Sequence, residues 1–436
     1  MCNHAPVVAR VVLLAVLCST SAVGAAEYQA TPANYRALLA ALVAGDTLML
    51  APGHYPNGLP VHGLKGTPDL PIVIEGPGSG EPAVFHARPR ANTVSIANSS
   101  YVTIRNLEVD GRGIAVNGVI AEGWAGFAHH ITLENLFIHD HDANQQVNGI
   151  STKCPAWNWV IRNSVIARAG SGMYLGNSDG AAPFIGGLIE RNLVMDTIGY
   201  NIQIKHQKPR AQVPGMPEQQ ATTIIRHNVF SKAAGSSTGE LARPNLLIGH
   251  APLSGPGGED NYAIYANFFY QNPSEALFQG EGNFAFYSNV LVNTFGDGIH
   301  IQPHNAVPRR IDVFHNTVLA ANAGIRIRGG DPAHAQRVIA NAVFAEAPIT
   351  GGEQKANKAG PLAEAVEHLE NPNAAPGRLD LAPRSGKLTV VPFDLSVQTP
   401  VPELQRDFDG RPFTDPVAGA YAGAGSKWRL LVEPKR

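Results

Sequence analysis

This sequence lacks the features that define several common classes of protein. Only 16% of its 436 residues are charged, 7% are aromatic, and three are cysteines. So few cysteines cannot form a disulfide framework, so the fold must depend on packing and backbone hydrogen bonds. The formal charge of −2 argues against bulk nucleic-acid binding. Beyond residue 26, no run approaches the roughly 18 apolar residues that cross a membrane.

The one early apolar run has the form of an export signal. Arg10 precedes the apolar stretch 11–18, and a segment of small residues ends at Ala26. Cleavage after Ala26, which we expect, would leave Cys154 as the single cysteine, with 32 basic and 35 acidic residues. Residues 1–26 therefore predict a protein exported to the periplasm or the medium.

A repeat is the strongest feature that is present. Nine β-rich runs each end in an asparagine, at intervals of 22 to 39 residues. Such a period indicates a solenoid, because it is too long for the hairpins of a β-sandwich, which is the alternative. Asparagine tolerates the left-handed backbone of a sharp bend and can hydrogen-bond the coils above and below. These asparagines are Asn106, Asn135, Asn163, Asn192, Asn228, Asn267, Asn289, Asn316 and Asn341.

The repeat and its flanks define the predicted organisation. We expect an all-β chain with about 9–11 coils in one solenoid. A helix over 35–43, opened by Thr31 and Pro32, is predicted to cap the first coil. The capped solenoid is assigned to residues 27–350, and 351–436 are predicted to form an irregular tail that packs on it.

Several segments resemble the right-handed parallel β-helix of the pectate-lyase-like superfamily. They are the asparagine-ended coils, residues 45–50, 53–55 and 71–74, and the closing stretch 407–411. The resemblance covers roughly residues 30–350 and implies that fold. Members of the superfamily include polysaccharide lyases, glycoside hydrolases, uronate epimerases and non-catalytic glycan-binding proteins.

Within that superfamily, the chain is distantly similar to the chondroitinase B and alginate lyase group. Lys205 falls where that group has its proton-abstracting lysine. The Arg-His-Gly run on the group's next coil is reduced here to Gly249-His250. Ile198 and Tyr200 stand where the group has two calcium-binding glutamates. The resemblance thus implies Lys205 as a base, with a different group to neutralise the substrate's charge.

One outer face of the predicted coils collects cationic and amide side chains. Alternation within strands such as 202–205 places apolar residues inward and polar residues outward. A column of cations on a protein of negative net charge suggests an acidic ligand. The alternative is that these side chains form a solvent-exposed β-face with no binding or catalytic role. The predicted column contains Lys153, Tyr174, Gln203, Lys205, His300, Gln302, Arg326 and Arg328, with His206, His250 and His304 just past the strand ends.

These residues suggest a β-elimination site for a uronic-acid glycan. Lys205 would take the proton, and His250 or His206 would protonate the leaving oxygen, with Tyr200 or Tyr174 in reserve. Lys153 and the arginines would hold carboxylates. Three polar insertions, at 207–221, 232–243 and 251–260, are predicted to wall the groove.

The sequence therefore favours an exported polysaccharide lyase that acts on an acidic glycan. A glycoside hydrolase on the same scaffold and a non-catalytic carbohydrate-binding protein remain alternatives. No cofactor is required by this interpretation, and we expect a monomer. Calcium is considered at Glu259, Asp260 and Glu281, and a cation at the run 139–142, but the spacing demands neither.

Overall fold

The chain folds as a right-handed parallel β-helix. The computed structural model describes residues 1–2, 25–123, 126–398 and 400–435, so most of the predicted export signal lies outside the described residues. Three parallel sheets run along the solenoid. Within the described residues, the third sheet has 11 strands, one for each complete coil. The all-β prediction and the predicted fold are confirmed.

The first sheet follows one side of the solenoid. Its strands are Glu27–Ala30, Thr47–Leu50, Ile72–Glu75, Ser100–Arg105, Ala128–Glu134, Val160–Arg162, Leu188–Glu190, Thr222–Arg226, Asn261–Tyr265, Gly282–Tyr287, Pro308–Phe314, Gln336–Ile339 and Glu353–Lys355, with Ala156–Trp157 and Phe184–Ile185 paired alongside.

The second sheet begins after the bend that carries the asparagines. Its strands are Gly53–Tyr55, Ala83–His86, Leu107–Asp110, Phe137–His141, Val165–Ala169, Leu193–Met195, Val229–Ser231, Phe268–Tyr270, Val290–Asn293, Thr317–Ala320, Ala342–Phe344 and Lys358–Gly360. Parallel pairing therefore continues about ten residues past position 350.

The third sheet closes each coil. Its strands are Leu59–His62, Val94–Ala97, Val119–Ala121, Asn148–Thr152, Ser171–Leu175, Ile202–Ile204, Leu246–Ile248, Phe278–Gly280, Ile299–Ile301, Ala323–Ile327 and Ala347–Thr350. Inward residues such as Ile202 and Ile204 are buried in a continuous apolar core.

Short helices and a tail complete the fold. The N-terminal helix is Tyr35–Leu39, shorter than the predicted 35–43, because residue 42 closes its turn by an i→i+3 bond to Leu39. Tyr35 covers the first coil by packing edge-on against Tyr55 and Phe85. The other elements are the 3₁₀ turns Gly239–Leu241 and Leu362–Glu364, the helix Ala365–His368, and the antiparallel strands Leu369–Asn371 and Asp380–Pro383.

The C-terminal tail packs against the bend between the first and second sheets. Phe408, Tyr421 and Leu430 share an apolar cluster with Tyr287 and Phe314 on the outside of the solenoid. The tail therefore covers this bend, and the outward face of the third sheet lies elsewhere.

A ladder of asparagines lines the same bend from inside. Each buried asparagine donates from Nδ2 to the Oδ1 of the next, and its backbone N–H donates to the same oxygen. The ladder is formed by Asn192, Asn228, Asn267, Asn289, Asn316, Asn341 and Asn357. Repeat periodicity missed Asn357, because its coil is only 16 residues long.

The left-handed residue of the bend is not always the asparagine. Asn106, Asn135 and Asn163 have φ of 59°, 51° and 54°, as expected. From Asn192 onward, the preceding residue takes this conformation, as Arg191 and His227 do, and the asparagine turns inward. In the later coils, the left-handed residue of the bend and the inward asparagine of the ladder are therefore neighbouring residues, although the sequence pattern is the same.

Candidate functional site

Outward positions of the third sheet form two adjacent columns. Strand register places Tyr174, Gln203 and His300 in one column. The second column lies just past the strand ends and contains Lys153, Lys205 and the residues equivalent to them. Leu247 and Gln279 fill positions of the first column that sequence analysis did not assign.

A groove with a volume of about 440 Å³ opens over the middle of these columns. Among the residues proposed from sequence, it brings together Tyr174, Tyr200, Gln203, Lys205 and His304. The remaining lining residues are Gln145, Gln146, Ser171, Ala242, Arg243, Pro244, Leu247, Glu275 and Gln279.

The aromatic ring of Tyr174 lies near the ammonium groups of two lysines. The Nζ of Lys153 is 3.7 Å from the ring centroid and that of Lys205 is 5.9 Å away. Burial and the charge of Lys205 lower the pKa of Lys153 to about 8. Burial also lowers the pKa of Lys205, against the opposing effect of Glu281. Each lysine is therefore closer to neutral near physiological pH than a solvated lysine.

Arg243 enters the groove from the insertion 232–243. Its guanidinium lies 5.9 Å from the ring centroid of Tyr200, whose pKa is raised by burial. The polar composition of this insertion predicts a groove wall but does not single out Arg243. The signal was its position at the end of an insertion next to a strand of the third sheet.

A buried lysine holds Arg243 in place. Lys232 is fully buried, and its Nζ donates to the Arg243 carbonyl at 2.7 Å. The Nδ2 of Asn272 donates to the same carbonyl at 2.9 Å. Burial lowers the pKa of Lys232 to about 7. These contacts fix the backbone from which the arginine side chain projects.

The other two insertions do not line the groove. Arg210 of the segment 207–221 forms a buried ion pair with Asp260 of the segment 251–260. Both insertions leave the solenoid between the third and first sheets, whereas 232–243 connects the second sheet to the third. The connection from which each loop departs decides whether it reaches the groove.

Two predicted histidines lie to one side of the groove. The rings of His206 and His250 are 5.4 Å apart, and neither lines it. The Nδ1 of His250 is 2.7 Å from the Ala251 carbonyl oxygen, and the residue is 6% exposed. The structure therefore does not place either imidazole beside Lys205 in the groove lining.

In the later coils, the basic side chains of the column pair with a carboxylate of the protein itself. The Nε2 of His300 lies 2.6 Å from Asp297 Oδ2, and Arg326 lies 3.4 Å from the same oxygen. Hydrogen bonding to His300 lowers the pKa of Asp297 to about 2. Gln302 and the exposed Arg328 lie outside the groove lining.

The carboxylates considered for calcium have protein partners. Glu259 pairs with Arg310, and Asp260 pairs with Arg210. Glu281 Oε2 accepts backbone N–H groups from residues 304, 305 and 306, each at 2.8 Å.

The calcium site implied by the lyase resemblance does not fit these residues. Ile198 offers no side-chain oxygen, and Tyr200 lies beside the cationic Arg243. We therefore assign no reaction step to calcium at these positions.

A separate cluster lies on the second sheet. Potential ligand atoms of Asp110, His139 and Asp140 lie within 4.8 Å of one another. Asp140 is also paired with Arg168, and His139 lies between Asp140 and Glu108. Asp110 lies 3.1 Å from His86, so each of the three residues already has a protein partner.

Comparisons with known proteins agree with the fold. No protein-family model and no curated protein matches the sequence. The GH136 lacto-N-biosidase from Eubacterium ramulus aligns with a TM-score of 0.51 and 13% identity, over 77% of this chain and 68% of that one. An alginate lyase from Paenibacillus sp. str. FPU-7 aligns with a TM-score of 0.45 and 17% identity, over 77% and 98%. Pectate lyase Pel9A aligns with a TM-score of 0.48 and 13% identity, over 92% and 97%. At these identities the likeness to the lacto-N-biosidase shows a shared fold alone.

Proposed function

We propose that this protein is a polysaccharide lyase that cleaves a uronic-acid glycan by β-elimination. The observation that carries the proposal is the groove that Lys205, with its lowered pKa, lines together with Tyr174, Tyr200 and Arg243. A base, a proton donor and a carboxylate-binding cation are the groups that this reaction requires.

Arg243 is assigned to the substrate carboxylate. Its planar fork of donors suits bidentate binding of a carboxylate and would stabilise the charge that develops during proton removal. Lys205 accepts the C5 proton, since partial burial favours its neutral form.

Tyr200 is assigned as the proton donor to the departing oxygen. Burial raises its pKa, which keeps the hydroxyl protonated until a basic leaving group approaches. The C5–H and C4–O bonds break as the C4=C5 double bond forms. The proton taken by Lys205 and the proton given by Tyr200 balance the reaction. The ring of Tyr174 lies 5.9 Å from the Nζ of Lys205 and 3.7 Å from that of Lys153, where it can interact with either ammonium group.

The hydrolase alternative has less support from the groove. Glycosidases typically use two carboxyl groups that flank the scissile bond. Among the described residues that line this groove, Glu275 alone carries a carboxylate. The proposed enzyme is expected to act outside the cytoplasm after loss of residues 1–26.

A polymer panel tests this function. The protein is incubated with alginate, pectate, glucuronan and glycosaminoglycans, while ultraviolet absorbance and reducing ends are followed together. The proposal expects both signals to rise with at least one polymer, because elimination leaves an unsaturated uronate. Reducing ends without absorbance would instead support a hydrolase. If neither signal rises with any polymer, the result would support a protein that binds carbohydrate without cleaving it.

A further inference from the structure

A second cleft lies where the C-terminal tail meets the asparagine bend. It has a volume of about 600 Å³, within the range of small-ligand sites. The solenoid contributes Arg191 and Arg226, and the tail contributes Arg406, Lys427, Trp428 and Lys435, together with the carboxylates of Glu403 and Asp409. This bend joins the first and second sheets, so the cleft is separate from the groove on the third sheet.

Three arginines and Lys427 outnumber the two carboxylates of this cleft, and burial lowers the pKa of a fifth basic residue, Lys435, to about 7. Glu403 is engaged with Arg226, which also bonds Glu190. The side chain of Asp409 accepts backbone N–H groups from residues 427 and 428. The two carboxylates are thus already bound, while the whole chain has a formal charge of −2.

Three cations retain donors that can face a ligand. The side chain of Arg191 is 47% exposed and lies 3.7 Å from Glu190. Lys427 is exposed, and Arg406 uses one Nη1 donor on the Gly410 carbonyl. A local excess of positive charge in a concave site favours an anionic ligand.

Aromatic rings form part of the same cleft. Lys435 Nζ is buried 3.3 Å from the ring centroid of Phe408 and 5.6 Å from that of Trp428. This ammonium donates to the carbonyls of Ala266 and Phe408. Trp428 is partly exposed, so part of its indole is accessible. An indole next to arginine and lysine donors suits a sugar ring that carries a carboxylate.

We propose that this cleft is a second binding site for a carboxylated saccharide, separate from the catalytic groove. The identity of the saccharide as a uronic-acid chain rests on the proposed function. Two sites on one chain would raise its avidity for a long polymer, because binding at one increases the local concentration at the other.

Calorimetry with short oligomers tests the site. Oligogalacturonate and oligoalginate are titrated into the full-length Lys205→Met variant, in which turnover is blocked. We expect two binding events per chain. Reversing two cleft charges in Arg191→Glu/Lys427→Glu should weaken one event by at least about tenfold. Arg243→Glu should weaken the other event.

A charge-matched control separates the cleft from net charge. Lys355→Glu/Lys387→Glu makes the same change in charge at two exposed lysines outside both sites. This variant should retain both binding events. If the cleft variant binds like the control, or if neither oligomer binds, the second site is refuted. Binding decides this proposal even if no polymer is cleaved.

Tryptophan fluorescence gives a second readout. Of the four tryptophans, Trp157 and Trp159 are 1% and 0% exposed, Trp124 lies outside the described residues, and Trp428 lines the cleft. Oligomer binding to the cleft should change the emission of Trp428, and Trp428→Phe should remove that change. An identical change in Trp428→Phe would contradict binding at this position.

Discussion

The asparagine bend and the groove on the third sheet both stack polar side chains along the solenoid, with opposite outcomes. At the bend, the Nδ2 and Oδ1 atoms of Asn267 bond the coils on either side. In the groove, the Nζ of Lys205 lies 5.9 Å from the ring centroid of Tyr174, and the side chain remains half-buried. Lys153, which lies outside the groove lining, is 3.7 Å from the same ring. A column whose hydrogen bonds are satisfied internally stabilises the fold, whereas one with free donors can bind a ligand.

Removing the groove lysine should give the largest effect. Lys205→Met keeps most of the apolar stem but removes the proposed base, so we expect turnover to fall by about 10²–10⁴-fold. Initial rates of unsaturated-product formation measure the loss on any polymer that the wild type cleaves. Lys355→Met is the control, since Lys355 is exposed on a strand of the first sheet. Equal rates in Lys205→Met and the wild type would remove Lys205 from the mechanism.

Breaking the ladder should affect stability. Asn267→Ala removes bonds from Nδ2 to the carbonyls of Ile225 and Tyr265 and leaves buried groups unpaired. We expect a loss of about 3 kcal/mol in the free energy of unfolding. The matched change Asn135→Ala affects an exposed side chain and should cost about 1 kcal/mol, because alanine disfavours left-handed backbone.

Denaturant titration measures both variants. If the two losses are equal, the buried ladder is not the stronger stabilising feature.

The buried lysine beneath the groove should give a pH-dependent effect. Unfolding returns Lys232 to its ordinary pKa of 10.5, whereas its folded pKa is about 7. Between these values the unfolded state binds more protons, so stability rises with pH by up to about 1.4 kcal/mol per pH unit from this group. Below pH 7 the two states bind equally and the dependence vanishes.

Lys232→Met isolates this contribution. Its free energy of unfolding should be compared with that of the wild type at several pH values above 7. As the pH rises, the free energy of unfolding of the wild type should increase relative to that of the variant. A pH-independent difference would show that Lys232 is not held in its neutral form. Because Lys435 has a similarly lowered pKa, some pH dependence should remain in the variant.

The smallest effect is expected from an arginine whose charge is already paired. Arg326 lies in the network of Asp297 and His300 and does not line the groove. Arg326→Ala should change KM less than about threefold. Arg243→Ala, which removes a groove cation, should raise KM or lower kcat by more. Steady-state kinetics on one polymer compares them, and the reverse order would move the carboxylate site toward Arg326.

The sequence was informative about the solenoid because its repeat is local and regular. Alternation in segments such as 202–205 gave the inward and outward positions of a strand. The pattern could not separate Asn163, which is itself left-handed, from Asn192, where Arg191 takes that role. A one-residue shift leaves the spacing nearly unchanged, so periodicity cannot detect it.

The candidate site was less accessible to sequence reasoning. Lys205, Tyr174 and Tyr200 reach the groove, but His206 and His250 lie beside it. The Asp297 network around Arg326 and His300 was missed, as was Arg243. These outcomes depend on rotamers and loop paths, which no local pattern encodes.

The sequence by itself determined the stacking of coils, because hydrophobic alternation and recurring bends are properties of short segments. Only the tertiary structure decided which polar groups are satisfied by their neighbours and which retain free donors. Arg326 meets Asp297 across 29 residues of chain, and Arg243 enters the groove from a separate loop. Electrostatic pairing and burial depend on distances between coils, and those distances exist only once the chain has folded.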